Sequence, residues 1–251
     1  MKGYLKLGDK CVKWSNLLEH KSIKVAYGKL TYVSPDLIGS LYLDESVICI
    51  GPNCFNNCSN LKQIILNDNL QIIGAYAFAG CRGLQQLNIP GSVTRIGDGI
   101  TIGCTGLEKI VVDPSNPYYE SEGNCVIAND VIIAGCKESS IRQHQGIGKH
   151  AFCGLSRDKW DIYNIENIES QAFFGCKLGD LLIITDPFTE CTIAPEAFKS
   201  CSVGNATLSG DVQYEGEDLG GAPVMRAKQV MSVEFEGDIQ QVAIFGGEED
   251  E

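Results

Sequence analysis

The segment Ala77–Gly97, AFAGCRGLQQLNIPGSVTRIG, indicates the architecture of the protein, because close copies of it occur along most of the chain. Its Phe-Ala-Gly-Cys segment at 78–81 follows Phe-Asn-Asn-Cys at 55–58 by 23 residues, and Cys104 follows Cys81 by the same interval. Later copies begin at Ala151, Ala172 and Ala197. Self-similarity at a short fixed period indicates a solenoid, in which each unit stacks on the next and equivalent side chains form ladders.

Each unit reads A-F-x-x-C-x-x-L-x-x-I-x-I and then, after a short turn, an apolar pair that ends in Ile-Gly, as at Ile50-Gly51, Ile73-Gly74, Ile96-Gly97 and Ile147-Gly148. The alternating apolar residues predict a short strand, and the Ile-Gly patch predicts a second one. Gly and Pro between the two patches turn the chain. The A-F-x-x-C segment is too short for a full helix and predicts a helical turn whose Ala, Phe and Cys point inward.

This pattern resembles the BspA-like leucine-rich repeats, a 23-residue class found largely in bacterial surface and secreted proteins. The resemblance implies a right-handed β/α superhelix of short strands with helical turns, and the chain has room for about 6–7 repeats plus a β-hairpin insertion. Three departures from the pattern predict local differences in packing. Thr101 replaces Phe, Cys54 replaces Ala, and the unit that begins at Ala151 lacks the Cys position and contains Trp160.

The chain is predicted to divide into three parts, namely an N-terminal cap region (1–45), the leucine-rich repeat solenoid (46–210) and a C-terminal β cap with an acidic tail (211–251). Within the first part, Asn16–Glu19 predicts a short helix that begins with a capping box. In the last part, Val230–Glu236 and Ile239–Phe245 flank Gly237-Asp238 and predict a closing hairpin. The tail from Gly246 to Glu251 has no apolar residue, and we expect it to be disordered.

An insertion at about 113–147 interrupts the repeat between Thr101 and Phe152. Two apolar runs there, Cys125–Ala128 and Val131–Ala134, are joined by Asn129-Asp130, which predicts a β-hairpin because both turn residues tolerate positive φ. The hairpin, with Tyr118 and Tyr119 beside it, either offers a contact surface or extends the sheet. We favour the second alternative, because tyrosines also fill cores.

Twelve cysteines need an explanation other than metal binding, because the chain has no C-x-x-C pair and no Cys/His set with zinc spacing. No metal or cofactor is therefore predicted. Five cysteines share one repeat position and predict an internal ladder of buried thiols: Cys58, Cys81, Cys104, Cys176 and Cys201. Cys49 and Cys191 fall at variable positions and are predicted to be exposed. A two-residue hairpin turn would place Cys125 opposite Ala134, so a disulfide between Cys125 and Cys136 needs another register. Many unpaired thiols suit a reducing compartment.

The sequence offers little for catalysis, because no phosphate-binding loop, serine-hydrolase elbow or EF-hand is present. A dyad of Cys153 with His150 is conceivable from their closeness in sequence. His150 occupies a variable position, where other units have Tyr76, Gln171 and Glu196, and this favours a plain surface residue. We therefore predict a protein that is not an enzyme.

Charge and hydrophobicity exclude two classes of partner. With 20 Lys plus Arg against 32 Asp plus Glu, the net charge of −12 attracts neither nucleic acid nor an anionic membrane.

No apolar run is long enough for a transmembrane helix. Met1–Lys10 contains three lysines and lacks the apolar core of a signal peptide. The resemblance implies a location at the cell surface or outside the cell, and the residues leave a cytoplasmic location open.

A stacked repeat favours binding over chemistry, because its inward positions are fixed and its outward positions are free. The first hypothesis is a non-enzymatic protein-binding module, and the resemblance implies adhesion to a host or matrix protein. The alternative is an intracellular scaffold or regulatory protein. The residues predicted to contact a protein partner are Gln63, Ile65, Gln86, Asn88, Lys109, Val111, Tyr118, Tyr119, Asp180 and Leu182.

Overall fold

A computed structural model describes residues 3–7, 10–142, 146–214, 218–219, 222–227, 229–235 and 238–244. Its first half contains β1 (Tyr4–Leu7), β2 (Lys10–Lys13), α1 (Trp14–Glu19), β3 (Ile23–Ala26), β4 (Lys29–Val33), β5 (Gly39–Tyr42), β6 (Cys49–Ile50), β7 (Leu61–Ile65), β8 (Ile72–Ile73), β9 (Gln86–Ile89), β10 (Arg95–Ile96) and β11 (Lys109–Val112).

The remaining elements are β12 (Glu120–Glu122), β13 (Cys125–Ala128), β14 (Val131–Ala134), β15 (Ile141–Arg142), β16 (Gly146–Ile147), β17 (Ser156–Tyr163), β18 (Asn167–Ile168), β19 (Lys177–Ile184), β20 (Glu190–Ile193), β21 (Ser202–Ser209), β22 (Asp211–Gln213), β23 (Asp218–Leu219), β24 (Ala222–Ala227), β25 (Gln229–Phe235) and β26 (Asp238–Ile244).

Each repeat contributes two strands to two parallel rows, as the sequence predicts. The long-strand row contains β5, β7, β9 and β11 before the insertion and β15, β17, β19, β21 and β24 after it. The short-strand row contains β4, β6, β8 and β10, and then β14, β16, β18, β20 and β22. Equivalent residues of successive units pair in register, as Gln86 does with Lys109 and Asn88 with Val111. The chain is therefore a solenoid of stacked β coils.

A third row consists of the A-F-x-x-C segments, which form turns and not the helical turns that the sequence predicts. Each turn bonds to the next through its backbone, since the N–H of Phe55 donates to the carbonyl of Ala77 at 2.8 Å. Positive φ values at the residue before the Cys position, as at Gly80 (72°) and Gly103 (65°), prevent a right-handed helical path. Within the described residues α1 is the only helix.

The inward side chains of this third row form the predicted ladders of Phe and Cys. The rings of Phe152 and Phe173 stack with centroids 5.2 Å apart, and those of Phe173 and Phe198 with centroids 4.8 Å apart. Phe55 and Phe78 form a separate pair at 5.3 Å. The row is interrupted at Thr101, which is the position where the sequence lacks the aromatic residue.

The cysteine ladder has a role that the sequence does not reveal. Four of the five thiols donate a hydrogen bond to the carbonyl of the Phe in the previous unit, as Cys81 does to Phe55 at 3.2 Å and Cys176 to Phe152 at 3.0 Å. The fifth, Cys58, donates to the carbonyl of Val33 at 3.6 Å. The carbonyl of Phe55 also accepts the backbone N–H of Cys58 at 3.0 Å, so the thiol gives this buried oxygen a second hydrogen bond. The thiol therefore fills the core and satisfies the backbone at the same time.

The insertion divides the solenoid into two stacks with separate apolar cores. β13 and β14 form the predicted hairpin, with φ of 49° at Asn129 and 64° at Asp130. Val126 belongs to the N-terminal core, whereas Cys125 and Ile127 belong to the C-terminal core. The hairpin is thus a wall that is buried on both faces, which explains its unbroken apolar run. It extends the short-strand sheet through β14, as the favoured alternative predicts.

Two details explain how the wall fits between the stacks. Thr101 is small enough to admit the backbone of Gly135, and its hydroxyl donates to the Gly135 carbonyl at 3.2 Å. A side chain on Gly135 would overlap the Phe152 ring, so this position requires glycine. A bulge between Val126 and Ile127 pairs Val126 with Ala134. The prediction that Cys125 lies opposite Ala134 is therefore wrong by one residue.

The two ends agree with the sequence in element type and differ in detail. α1 begins at Trp14, two residues before the predicted Asn16 cap, and no side chain caps it at Lys13. The capping-box prediction is therefore wrong. β25 and β26 form the closing hairpin, with Phe235 paired to Asp238. The acidic tail lies outside the described residues. The three-part division of the chain and the right-handedness of the superhelix stay predictions.

Candidate protein-binding face

The outward side chains of the long-strand row form a surface that we call the outer sheet face. In β7, β9 and β11 these side chains alternate with the buried Ile64, Leu87 and Ile110, because successive residues of a strand point to opposite faces. Six predicted contact residues lie here; three are exposed (Gln63, Asn88 and Lys109) and three are half-buried (Ile65, Gln86 and Val111).

The structure brings these six residues together around one shallow hollow of about 490 Å³. Its walls also include Asp68, Pro90 and Asp113 from the turns that follow the strands. Gln86 Nε2 donates to Asn88 Oδ1 at 2.6 Å, so the centre of the hollow is polar while Ile65 and Val111 make its flanks apolar. Such a mixture of polar and apolar surface is ordinary for a protein-contact region.

The other four predicted contact residues lie away from this hollow. Asp180 and Leu182 belong to β19 in the C-terminal stack, where Asn205 donates to Asp180 Oδ1 at 2.6 Å. Tyr118 is 57% exposed on the loop after β11. Tyr119 is half-buried against the N-terminal core, and its hydroxyl accepts a hydrogen bond from the N–H of Ile96 at 2.9 Å. Tyr119 thus closes the edge of β10, and its phenol oxygen already has a partner.

Cys153 and His150 do not form the dyad that their closeness in sequence suggests. The Cys153 thiol donates to the carbonyl of Gln171 at 3.2 Å, whereas His150 Nε2 lies 3.0 Å from the Gln171 side-chain oxygen. Burial raises the pKa of the Cys153 thiol to about 12, so the thiolate is scarce at neutral pH. His150 is half-buried, with its ring 5.8 Å from that of Tyr76, and is less exposed than predicted.

Most of the other cysteines are buried thiols. Burial also raises the pKa of Cys58, Cys104 and Cys191 to about 12. Cys191 is fully buried, and the prediction that it is exposed is wrong, because β20 begins at Glu190 and turns Cys191 toward the C-terminal core. Cys49 is half-buried. All twelve cysteines lie in the described part of the chain and all are free.

The family of the chain follows from its repeats. Residues 31–129 and 136–219 match the BspA type leucine rich repeat region in 6 copies. The chain belongs to this family. The gap in the match, 130–135, coincides with the turn and second strand of the hairpin wall, where this BspA-type chain departs from the repeat. No functionally curated protein matches the chain significantly.

Three solved structures are similar to this BspA-type chain. They are a leucine rich cell surface protein from Faecalibacterium prausnitzii A2-165 (TM-score 0.49, 19% identity, 72% of this chain and 61% of that one), the pneumococcal vaccine antigen PcpA (0.46, 16%, 77% and 64%) and a leucine-rich repeat protein from Eubacterium ventriosum ATCC 27560 (0.39, 14%, 71% and 72%). The chain thus spans less than two thirds of the length of the first two.

Two absences complete the description of the BspA-type chain. Among the residues that the structure describes, no three His, Cys, Asp or Glu side chains come together in a group that could hold a metal ion. In that same part of the chain, no helix has the length and apolar character that crossing a membrane requires.

Sequence reasoning missed two groups at the outer sheet face. Tyr42 lies beside Ile65 in the parallel register, and its position 23 residues earlier in the sequence could have revealed it. Tyr4 stacks on Tyr42 with ring centroids 4.1 Å apart. Because β1 joins the sheet antiparallel to β5 and outside the repeat, no periodic signal marks Tyr4.

Proposed function

We propose that this chain is a non-enzymatic protein-binding module that acts at the cell surface and uses the outer sheet face of its N-terminal stack for contact. The observation that supports it most directly is the convergence of Gln63, Ile65, Gln86, Asn88, Lys109 and Val111 on one hollow. Membership of the BspA-type family supports the surface location, because this class is found largely in surface and secreted proteins.

The backbone behind this hollow is well suited to binding. The carbonyl of Gln85 accepts N–H donors from Glu108 and Lys109 at 2.9 and 3.2 Å, and the side chain of Asn116 donates to the carbonyls of Pro90 and Val93 at 3.0 and 2.9 Å. A surface held in this way loses little conformational entropy when a partner docks. The proposal therefore requires no rearrangement of the long-strand row.

A site-specific photo-crosslinker tests which face contacts a partner. A benzophenone amino acid placed at Asn88 lies in the hollow, and the same group at Thr94 lies exposed in the same repeat but outside it. Irradiated on the native host, the Asn88 variant should give discrete protein adducts that mass spectrometry identifies, and the Thr94 variant should not. Adducts from Thr94 alone would contradict the choice of face.

A second candidate, an intracellular scaffold, is supported by the cysteines. Twelve free thiols, most of them buried, are typical of a reducing compartment. Protease treatment of intact host cells separates the candidates, because a surface protein is cleaved and a cytosolic one survives until lysis. Complete protection in intact cells would contradict the surface location and leave the scaffold.

A further inference from the structure

A second hollow, of about 370 Å³, lies on the outer sheet face beside the hollow that the six predicted contact residues surround. The two hollows share Ile65, Leu66 and Asp68 as lining residues, so they adjoin. Together they follow the stack from β1 across β5, β7 and β9 to β11. We call this continuous surface the acidic channel.

The floor of the channel combines aromatic, aliphatic and amide side chains. Tyr4 and Tyr42 stack with an interplanar angle of 14°, and Tyr42 pairs in register with Ile65. One repeat further on, Asn88 pairs with Val111. An extended chain laid along this floor would therefore meet the stacked tyrosine rings first, and then the side chains of Ile65, Asn88 and Val111.

The channel carries more negative than positive charge. Glu45 and Asp68 line the second hollow, Asp68 and Asp113 line the first, and Lys109 is the one cation among the described residues that line either. All three carboxylates come from turns that follow long strands, so they lie along one side of the floor. Carboxylates beside an apolar surface are a favourable environment for a Lys or Arg side chain, whose charged head pairs with the carboxylate while its aliphatic stem packs on the apolar groups.

We propose that the acidic channel binds an extended segment of a partner protein in which basic residues alternate with aliphatic ones. This rests on the proposed function and names the chemistry of its partner. Charge complementarity favours this occupant over a second copy of the chain, whose net charge is −12. The attraction should weaken with salt, because the carboxylates are at the surface.

Fluorescence anisotropy with a labelled peptide of repeated Lys-Val-Pro triplets tests the proposal, because proline keeps the probe extended. A Glu-Val-Pro peptide of equal length is its control. We expect the Lys peptide to bind at low salt and the Glu peptide not to bind. Asp68→Asn should weaken binding by about fivefold, the upper range for an exposed ion pair.

Asp158→Asn is the matched control variant, because it removes the same charge from an exposed residue of β17 outside both hollows. Equal losses in the two variants would show a general charge effect and overturn the channel.

Binding of cellohexaose in place of the Lys peptide, with loss in Tyr42→Ala, would assign the channel to carbohydrate. Sedimentation showing self-association that Asp68→Asn abolishes would assign it to a second copy. Failure to bind the Lys peptide, with Asn88 adducts intact, overturns the occupant and leaves the proposed function.

Discussion

The two stacks on either side of the hairpin wall are built from the same repeat and differ in strand length. In the N-terminal stack β7, β9 and β11 have four or five residues each, whereas in the C-terminal stack β17, β19 and β21 have eight. The longer strands pair over more residues in each repeat. Turns of six and five residues follow β7 and β9, and their side chains help to surround the hollows, whereas turns of three, five and one residues follow β17, β19 and β21.

The same contrast holds for the interiors and the outer faces. Phe173 is packed between two stacked rings, and Trp160 meets it edge-on at 5.3 Å. On the C-terminal outer face Lys159 pairs with Asp161 at 3.1 Å. The C-terminal stack therefore concentrates aromatic packing in its interior, whereas the N-terminal stack has the two hollows on its outer face.

Replacing one phenylalanine of each stack by alanine should cause the largest losses of stability. Phe173→Ala should lower the free energy of unfolding by about 4–5 kcal/mol and Phe55→Ala by about 3 kcal/mol, because Phe173 loses three aromatic partners and Phe55 loses one. Urea denaturation followed by circular dichroism measures both. Equal costs would contradict the difference between the stacks.

Adding a methyl group at Gly135, where the hairpin wall contacts the C-terminal stack, should cause the next largest loss of stability. Gly135→Ala places a methyl group against the Phe152 ring and should cost about 1–3 kcal/mol. Gly175→Ala is the control, because that glycine has φ of +67° and no atom within 4 Å, so only its backbone strain of about 1 kcal/mol applies. Thermal denaturation compares the two. A smaller loss at Gly135 than at Gly175 would show that the wall is not tightly fitted.

Removing the hydroxyl that closes the edge of β10 should cause a smaller loss of stability. Tyr119→Phe removes the hydroxyl that accepts the Ile96 N–H and should cost about 1–2 kcal/mol. Hydrogen exchange at the Ile96 amide should accelerate accordingly. Tyr118→Phe removes an exposed hydroxyl next in sequence and should change neither quantity. Unchanged exchange at Ile96 in the Tyr119 variant would contradict the edge-sealing role.

Alkaline pH tests a feature that the two stacks share. Burial raises the pKa of Cys104 and of Cys153 from 9.0 to about 12. The thiols stay protonated in the folded chain while the unfolded chain ionises, so stability is full below pH 9 and falls as pH rises toward 12. Each thiol should contribute about 1.4 kcal/mol of loss per pH unit.

The difference in unfolding free energy between pH 8 and pH 10 is the quantity to measure. Cys104→Ala and Cys153→Ala should each reduce that difference by about 1 kcal/mol relative to the native chain. Cys11→Ala removes an exposed thiol and should leave the difference unchanged. A larger change in one stack than in the other would show that thiol burial differs between them.

The periodic part of the fold could be predicted from sequence, because each repeat position sees the same surroundings. The spacing of Phe55, Phe78, Phe173 and Phe198 locates the aromatic ladder, and alternation in Leu84–Ile89 locates a strand and its outward residues. Four of the ten predicted contact residues lie elsewhere than the hollow, because a repeat pattern identifies outward positions and not which of them adjoin a depression.

The errors occur where the chain departs from its repeat or where backbone conformation decides. Positive φ at Gly80 and Asn57 converts a predicted helical turn into a hydrogen-bonded, non-helical turn. A bulge shifts Cys125, and an early start of β20 buries Cys191. Helix α1 lies outside the repeat, so no periodic pattern marks its start, and the local capping signal at Asn16 indicates a position two residues too late.

The hairpin wall also bears on how such a chain can change over generations. Since Val126 faces one interior and Ile127 the other, a volume change in one core meets a backbone wall before it reaches the second core. Compensating substitutions are then required on one side only. The two halves are therefore free to diverge at separate rates.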